Sequence, residues 1–218
     1  MDFENLSAAM TTRADPQKAA PMKAYMRGQF EYLGIPTPAR RDICKPYFKA
    51  AKSDTRVDWM FIDRCWKEPR REFQYIAVDY LTQMKQLLSP ADVPKIKKLI
   101  TTKSWWDTVD GLDVVVGHIA AQFKEVKQTL LEWSVDKNFW LRRAAIDHQL
   151  LYRDKTDTKL LEKIIVNNLG QTEFFINKAI GWSLREYSKT NPDWVKDFVN
   201  KYNNKLAPLS VREASKYI

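Results

Sequence analysis

Hydrophobic side chains recur every three to four residues along most of the chain, and strand-like alternation of apolar and polar positions is scarce. This spacing matches the roughly 3.6 residues per turn of an α-helix, so the pattern predicts an all-α protein. Pro46 predicts a kink or a break inside one of the helices. The predicted helices cover residues 3–12, 16–28, 38–52, 57–66, 70–87, 90–100, 174–187, 192–202 and 209–217, with further helices starting near 105 and 140.

Four of the helix starts fall on a regular spacing. Arg70, Trp105, Trp140 and Phe175 are separated by 35 residues each, and the segments 139–145 and 174–180 align on this period. Such a unit accommodates two helices and short turns, but it could not bury its own apolar face alone. We therefore predict a curved α-solenoid (superhelix) of HEAT-like helix-pair repeats, forming a single domain over residues 1–218.

The helix that starts near Trp105 carries two stripes. One has the apolar spacing of a core stripe and consists of Trp105, Val109, Leu112 and Val116. The other lies about 100° round the helix and consists of Trp106, Asp110, Asp113 and Gly117. Because Trp106 and Asp110 share a face one turn apart, they are candidates for a functional site. In the alternative interpretation Trp106 only packs against a neighbouring helix and Asp110 is solvated.

Later helices repeat this arrangement of an apolar and a polar face. The predicted core stripes consist of Ile176, Ile180, Leu184 and Tyr187, and of Leu141, Ala145, His148 and Tyr152. The side chains predicted to point away from the core are Lys178, Trp182, Arg185, Arg143 and Asp147. Cations for phosphates next to aromatic rings are typical of a nucleic-acid groove. Alternatively, Trp182 is wedged between repeats and Arg143 pairs with Asp147 at i+4.

Charge and cysteine usage narrow the class of protein. The net charge is +9, and the 36 Lys and Arg residues are spread along the whole chain. This distribution indicates either a folded basic surface that binds nucleic acid or a soluble protein that is merely cationic. Cys44 and Cys65 lack metal-ligand spacing and are predicted to be reduced core residues. No signal-like N-terminus or membrane-length apolar run occurs, so we expect a cytoplasmic, DNA-associated protein without membrane attachment.

The sequence lacks the motifs of several other chemistries. It contains no G-x-G-x-x-G, P-loop, H-E-x-x-H or G-x-S-x-G pattern. Of the two histidines, His148 lies in an apolar stripe and is predicted to be a hydrogen-bonded core residue. Neither a metal site nor a catalytic triad can be assembled, and no cofactor is expected.

Three separated segments resemble one known family. They are Ser-Trp-Trp-Asp-Thr-Val-Asp at 104–110, Phe-Trp-Leu-Arg-Arg-Ala-Ala-Ile at 139–146 and Ala-Ile-Gly-Trp-Ser-Leu-Arg-Glu-Tyr at 179–187. Over nearly its whole length the chain resembles the AlkD-type DNA glycosylases of the DNA alkylation repair family. The resemblance implies a concave surface that holds duplex DNA and excision of cationic alkylated purines, such as 3-methyladenine and 7-methylguanine, without a metal. It places the functional aspartate on Asp110, the sugar-contacting tryptophans on Trp106 and Trp182, the cation on Arg143, and a further contact on Tyr25.

We therefore expect a monomeric, monofunctional glycosylase that acts on double-stranded DNA with alkylated bases. Asp110 would stabilise an oxocarbenium-like transition state or position water, and Arg143, Lys178 and Arg185 would contact phosphates. A non-catalytic protein that binds unusual DNA structures, or a protein-binding solenoid, remains the alternative. Trp106, Arg143 and Trp182 lie 37 and 39 residues apart rather than 35, so the period does not show that these side chains converge.

Overall fold

The protein is entirely helical apart from its turns. The computed structural model describes residues 1–218 and contains thirteen α-helices, three short 3-10 helices and one isolated β-bridge between Glu31 and Arg70. The all-α prediction is confirmed. The chain divides into two compact units, Met1–Leu88 and Ser89–Ile218, so the single domain over residues 1–218 stays a prediction. None of the helices combines the length and the apolar character that a membrane crossing requires.

The first unit contains five α-helices. They are α1 (Phe3–Thr12), α2 (Pro16–Tyr25), α3 (Thr37–Ala51), α4 (Trp59–Lys67) and α5 (Arg71–Gln83), and a 3-10 turn, Lys85–Leu87, follows. Asp2, Asp15 and Asp58 cap α1, α2 and α4, because their carboxylates accept hydrogen bonds from backbone N–H groups of the first turn. The fully buried core side chains include Leu6, Met10, Phe61, Phe73, Ile76 and Tyr80.

Two predicted helix ends in this unit were wrong in detail, and a predicted break inside a helix is absent. Helix α2 ends at Tyr25 rather than near residue 28, since Arg27 and Gly28 adopt positive φ values of 55° and 72°. Helix α5 ends at Gln83 and tightens into the 3-10 turn. Helix α3 passes through Pro46 without a break, while a kink at Pro46 stays a prediction.

The second unit is built from paired helices. Its elements are a 3-10 turn (Pro90–Asp92), α6 (Val93–Thr101), α7 (Trp106–Gln122), α8 (Val126–Trp133), α9 (Phe139–Asp147), a 3-10 turn (Arg153–Lys155), α10 (Thr158–Val166), α11 (Phe174–Ser188), α12 (Pro192–Tyr202) and α13 (Pro208–Ala214). Helices α7, α9, α11 and α13 pack side by side in chain order. The intervening helices α8 and α10 pack against α9, and α12 packs against α11. This arrangement confirms a helix-pair repeat within the second unit.

The 35-residue spacing has a direct structural cause. The rings of Trp105, Trp140 and Phe175 meet at the starts of α7, α9 and α11. Their centroids are 5.8 Å apart for Trp105 and Trp140, 4.9 Å for Trp140 and Phe175, and 5.2 Å for Trp105 and Phe175. One aromatic side chain from each repeat therefore joins a common cluster, which aligns the N-terminal ends of the three helices.

Two glycines set how closely these helices approach. A methyl group at Gly117 of α7 would lie 2.1 Å from the His148 carbonyl oxygen at the end of α9. A methyl group at Gly181 of α11 would lie 2.6 Å from Cβ of Glu213 on α13. No larger residue fits at either position without moving a neighbour. The polar side chains that face each other across these helices are therefore held at short range.

Candidate active site

The candidate active site lies where α7, α9 and α11 are adjacent in the second unit. Helix α7 contributes Asp110 and Asp113, which are three residues apart and so lie on one face. Helix α9 contributes Arg143 and Asp147, which are four residues apart. Helix α11 contributes Trp182. The close approach of α7 and α9 at Gly117 brings the first two pairs together.

Asp110 and Arg143 form a bidentate ion pair. Arg143 donates from Nε to Asp110 Oδ1 at 2.7 Å and from Nη2 to Asp110 Oδ2 at 2.8 Å. Its Nη1 donates to the carbonyl oxygen of Phe175 at 2.7 Å, which ties the guanidinium to α11 as well. The side chain of Arg143 is 1% exposed, whereas that of Asp110 is 24% exposed. Asp110 is thus a rigidly held carboxylate that still reaches the surface.

The prediction that Arg143 and Asp147 point outward was wrong, since both side chains are fully buried. Helix α9 is enclosed by helices on more than one side, so its polar face meets α7 and α11 instead of solvent. The cost of burying the guanidinium is offset by its three hydrogen bonds. The anticipated i+4 partner of Arg143 is only a distant one, because Nη2 lies 3.8 Å from Asp147 Oδ2.

Two further carboxyl groups lie behind this pair. Asp113 and Asp147 are fully buried, and neither of their oxygen pairs has a hydrogen-bond partner. Ligand oxygens of Asp110, Asp113 and Asp147 lie within 4.8 Å of one another, which is also an arrangement that a metal ion could use. Asp113, which the second stripe of α7 groups with Trp106 and Asp110, faces the interior.

The electrostatics of these acids follow from burial. Burial raises the pKa of Asp147 to about 8 against the lowering effect of Arg143, and it raises the pKa of Asp113 well above its ordinary value. Burial also raises the pKa of Asp110, but both of its oxygens accept hydrogen bonds from Arg143, which act in the opposite direction. The two hydrogen bonds from Arg143 stabilise the charged form of Asp110, whereas burial without a hydrogen-bond partner favours the neutral forms of Asp113 and Asp147.

Trp182 is half-buried and has three cations around its ring. The distances to the ring centroid are 5.4 Å from Arg143 Cζ, 5.3 Å from Lys178 Nζ and 5.9 Å from Arg185 Cζ. The tryptophan therefore joins the Asp110–Arg143 pair to the basic residues of α11. Asp110, Arg143 and Trp182 converge even though their spacing departs from the repeat period.

Lys178 and Arg185 are not isolated cations. Glu213 of α13 accepts hydrogen bonds from Lys178 Nζ at 2.6 Å and from Arg185 Nη1 at 2.7 Å. Both cations therefore have an anionic partner, and their contact with phosphate stays a prediction. Sequence reasoning missed Glu213, although it lies 35 residues after Lys178 and so at the equivalent position of the next repeat.

The remaining predicted residues belong to different units. Trp106 is the first residue of α7, half-buried and one turn before Asp110. Tyr25 is the last residue of α2 in the first unit, and its side chain is 72% exposed. Their roles stay predictions.

The interpretation of the histidine and the cysteines is confirmed. His148 is buried, its Nδ1 lies 2.6 Å from the Ala145 carbonyl oxygen, and burial lowers its pKa to about 4. Cys44 and Cys65 are buried free thiols. All three belong to the core rather than to a reactive site.

Known proteins resemble this chain in sequence and in fold. A family model described as DNA alkylation repair enzyme matches residues 6–218. A solved structure from Enterococcus faecalis, described as a predicted DNA alkylation repair enzyme, is 38% identical with a TM-score of 0.86, covering 94% of this chain and 96% of that chain. The smu.31 protein of Streptococcus mutans UA159 shares the fold at 18% identity and a TM-score of 0.61, over 82% of this chain and 95% of its own. No curated protein matches significantly.

Proposed function

We propose that this chain, which belongs to the DNA alkylation repair enzyme family, is a monofunctional DNA glycosylase. Its substrates would be cationic alkylated purines in duplex DNA, such as 3-methyladenine and 7-methylguanine. It would hydrolyse the bond between the base and deoxyribose. The observation that carries the proposal is the Asp110 carboxylate, which Arg143 holds at 2.7 and 2.8 Å while 24% of its side chain stays exposed.

The chemistry of the lesion explains why one carboxylate is enough. A purine methylated at N3 or N7 already carries a positive charge, so it leaves as a neutral base and needs no strong acid. The sugar left behind develops oxocarbenium character, and a preorganised negative charge near C1′ stabilises it. Asp110 is the accessible carboxylate of the cluster, and the hydrogen bonds from Arg143 stabilise its charged form, which fits this task.

The size of the effect follows from Coulomb's law. A carboxylate about 4 Å from the developing cation, at an effective dielectric constant near 20, contributes roughly 4 kcal/mol, or about a thousandfold in rate. The Arg143 guanidinium opposes part of this field, so we expect about two to three decades of rate from Asp110. Arg143 also holds Asp110 in a fixed orientation, which a solvated carboxylate would not have.

Asp110 has a second task available. Each of its oxygens accepts one hydrogen bond from Arg143, and lone pairs remain on both. Through a remaining lone pair Asp110 would accept a proton from the water that attacks C1′. The electrostatic and the water-positioning tasks are compatible, because both need an ionised carboxylate in a fixed orientation.

The surroundings of Asp110 provide contacts for DNA. We propose that Trp106 and Trp182 lie against the sugar and base of the lesion, and that Lys178 and Arg185 contact phosphates. Tyr25 belongs to the first unit and is proposed separately as a further contact to DNA. The net charge of +9 supports association with duplex DNA. Arg143 is buried beneath Asp110 and acts there through the carboxylate.

The test is release of free base by the purified protein. Duplexes with a single 7-methylguanine or 3-methyladenine are incubated with the protein, and free base and abasic sites are quantified against the spontaneous rate. The proposal predicts release from both lesions and none from the unmodified duplex. Binding without release would instead identify a non-catalytic protein that recognises unusual DNA structures.

A further inference from the structure

The charges around Asp110 do not balance if every acid is ionised. Asp110, Asp113 and Asp147 face a single cation, Arg143, so the ionised group would carry a net charge of −2. Asp113 and Asp147 are 0% and 1% exposed, and water does not solvate them. An unpaired charge in such a place is costly, and carboxylates this close to one another hold protons instead.

The hydrogen bonds of Arg143 show which acid carries the negative charge. Its Nε and Nη2 donate to Asp110, while Asp147 Oδ2 stays 3.8 Å from Nη2. An ionised Asp147 at i+4 on the same helix would attract this nitrogen to hydrogen-bond distance. The observed geometry is therefore that of a neutral Asp147 beside an Asp110–Arg143 pair.

We propose that Asp147 is a positioning residue for Asp110. While Asp147 holds its proton, the Arg143 guanidinium stays on Asp110; when the proton leaves, Arg143 transfers part of its hydrogen bonding to Asp147. The consequence for catalysis rests on the proposed glycosylase function. Shortening the 3.8 Å separation to a hydrogen bond moves the guanidinium by about 1 Å, and it lengthens the bonds that orient Asp110. A displacement of that size at a reacting group reduces catalysis severely.

Few groups influence the pKa of Asp147, so its protonation depends on the residues of this cluster. Besides burial, Arg143 on the same helix lowers the pKa of Asp147 and Asp110 on α7 raises it, and Asp147 in turn raises the pKa of Asp113 on α7. Helices α6, α8, α10 and α11 also pack against α9 but contribute no charged group to this set. The neighbouring His148 is neutral above its pKa of about 4.

The pH range for a test follows from these groups. With the pKa of Asp147 at about 8, its neutral fraction falls about tenfold between pH 7 and pH 9. If only the neutral form positions Asp110, the excision rate of bound substrate falls by the same factor. Asp147→Asn is nearly isosteric and cannot lose a proton, so its rate ratio between the two pH values should be about one.

The experiment measures single-turnover excision of 7-methylguanine at pH 7 and pH 9, with saturating protein and background-subtracted rates. Wild-type protein and an Asp193→Asn control, which removes one exposed carboxylate of α12, should both show a ratio of about ten. Asp147→Asn should show about one, whatever its absolute rate. An equal ratio in all three proteins overturns the inference. So does activity that chelation abolishes and magnesium restores, because the three acids would then hold a metal.

A second measurement does not depend on activity and protects against a variant that folds poorly. Carboxyl carbons of labelled aspartates are followed by NMR from pH 5 to pH 9.5 in wild type, Asp147→Asn and Asp113→Asn. The inference predicts a titration near pH 8 that Asp147→Asn abolishes and Asp113→Asn shifts. Aspartates that all titrate below pH 6 would overturn it. If this titration is present but neither wild type nor any variant releases base, the proposed function is wrong, while the protonation of Asp147 in this cluster is confirmed.

Discussion

Buried carboxyl groups occur in both units of the molecule, and the two units treat them differently. Glu72 in the first turn of α5 is 0% exposed, and it accepts hydrogen bonds from the backbone N–H groups of Leu33, Gly34 and Ile35 at 3.0, 2.9 and 3.2 Å. Asp113 and Asp147 are as deeply buried, yet their oxygens have no hydrogen-bond partner. One carboxylate is fully paired with fixed donors, whereas the other two share one arginine with Asp110.

This difference separates a structural acid from acids that belong to a site. Glu72 satisfies three donors of a loop and fixes that loop on α5, so its charge has a constant task. Asp113 and Asp147 contribute no such bonds and are retained at an electrostatic cost. Strongly perturbed acids next to an accessible carboxylate are typical of catalytic sites. Substitutions that change one of these groups at a time test the difference.

The largest effect is expected from Arg143→Gln. Removing the only cation leaves the Asp110 carboxylate unpaired beside two further buried acids, and breaking such a buried pair costs about 3–5 kcal/mol of the free energy of unfolding. The loss should be larger at pH 8 than at pH 5, where protons neutralise the acids. Urea unfolding at both pH values measures it. The half-buried neighbour Arg142→Gln is the control, and similar losses for the two variants would show that Arg143 does not compensate the cluster.

Glu72→Gln tests the fully paired acid of the first unit. A carboxamide offers one acceptor oxygen and no charge to the three backbone donors, so we expect a loss of about 2 kcal/mol in the free energy of unfolding. The pH dependence of excision by the folded fraction should be the same as in wild type. Glu31→Gln, which removes an exposed partner of Lys23, should cost less than about 0.5 kcal/mol. A Glu72→Gln variant as stable as wild type would mean that the three hydrogen bonds do not hold the loop.

A smaller effect is expected in the pH dependence of stability. The pKa of Asp147 is about 8 in the folded chain and near its ordinary value of 3.8 when unfolded, so the folded state binds the extra proton between these values. Stability from this group is therefore full below pH 4 and falls as pH rises, by at most about 1.4 kcal/mol per pH unit. Chemical unfolding at pH 7 and 8 should show a shallower decline in Asp147→Asn. An identical slope would contradict the assignment of the proton.

The smallest effect concerns Glu213, a carboxylate near the surface of the second unit. Glu213 pairs with Lys178 and Arg185, and in Glu213→Gln both cations become available to phosphate. Affinity for any duplex should rise about threefold, and the slope of log affinity against log salt should steepen by up to about 0.9 for each additional phosphate that the protein neutralises. Glu186→Gln, which releases Lys189, is the control. Equal salt slopes in Glu213→Gln, Glu186→Gln and wild type would mean that DNA does not contact Lys178 and Arg185.

Much of the fold was predictable because local signals determine it. Capping by Asp2, Asp15 and Asp58 places three helix starts in the first unit, and the aromatic residues at 105, 140 and 175 reveal the repeat in the second. The identity of Asp110 as the central acid followed from its place one turn after Trp106 and from the family resemblance. These features depend on residues close together in the chain.

The partners of Asp110 were not predictable in the same way. Periodicity assigns one inward and one outward face to α9, but this helix is packed on several sides, so Arg143 and Asp147 are buried. Their meeting with Asp113 depends on the close approach at Gly117, which no local pattern shows. The pairing of Lys178 with Glu213 could have been found, because the two lie one repeat period apart.

The role of Asp110 is decided by single-turnover excision of 7-methylguanine by wild type, Asp110→Asn and Asp193→Asn at pH 7. We expect Asp110→Asn to bind the duplex normally and to be slower by about two to three decades, because it lacks the charge that stabilises the sugar cation. Asp193→Asn removes the same charge from the exposed first turn of α12 and should excise at the wild-type rate. Excision by Asp110→Asn at the wild-type rate would contradict the proposed function of this carboxylate.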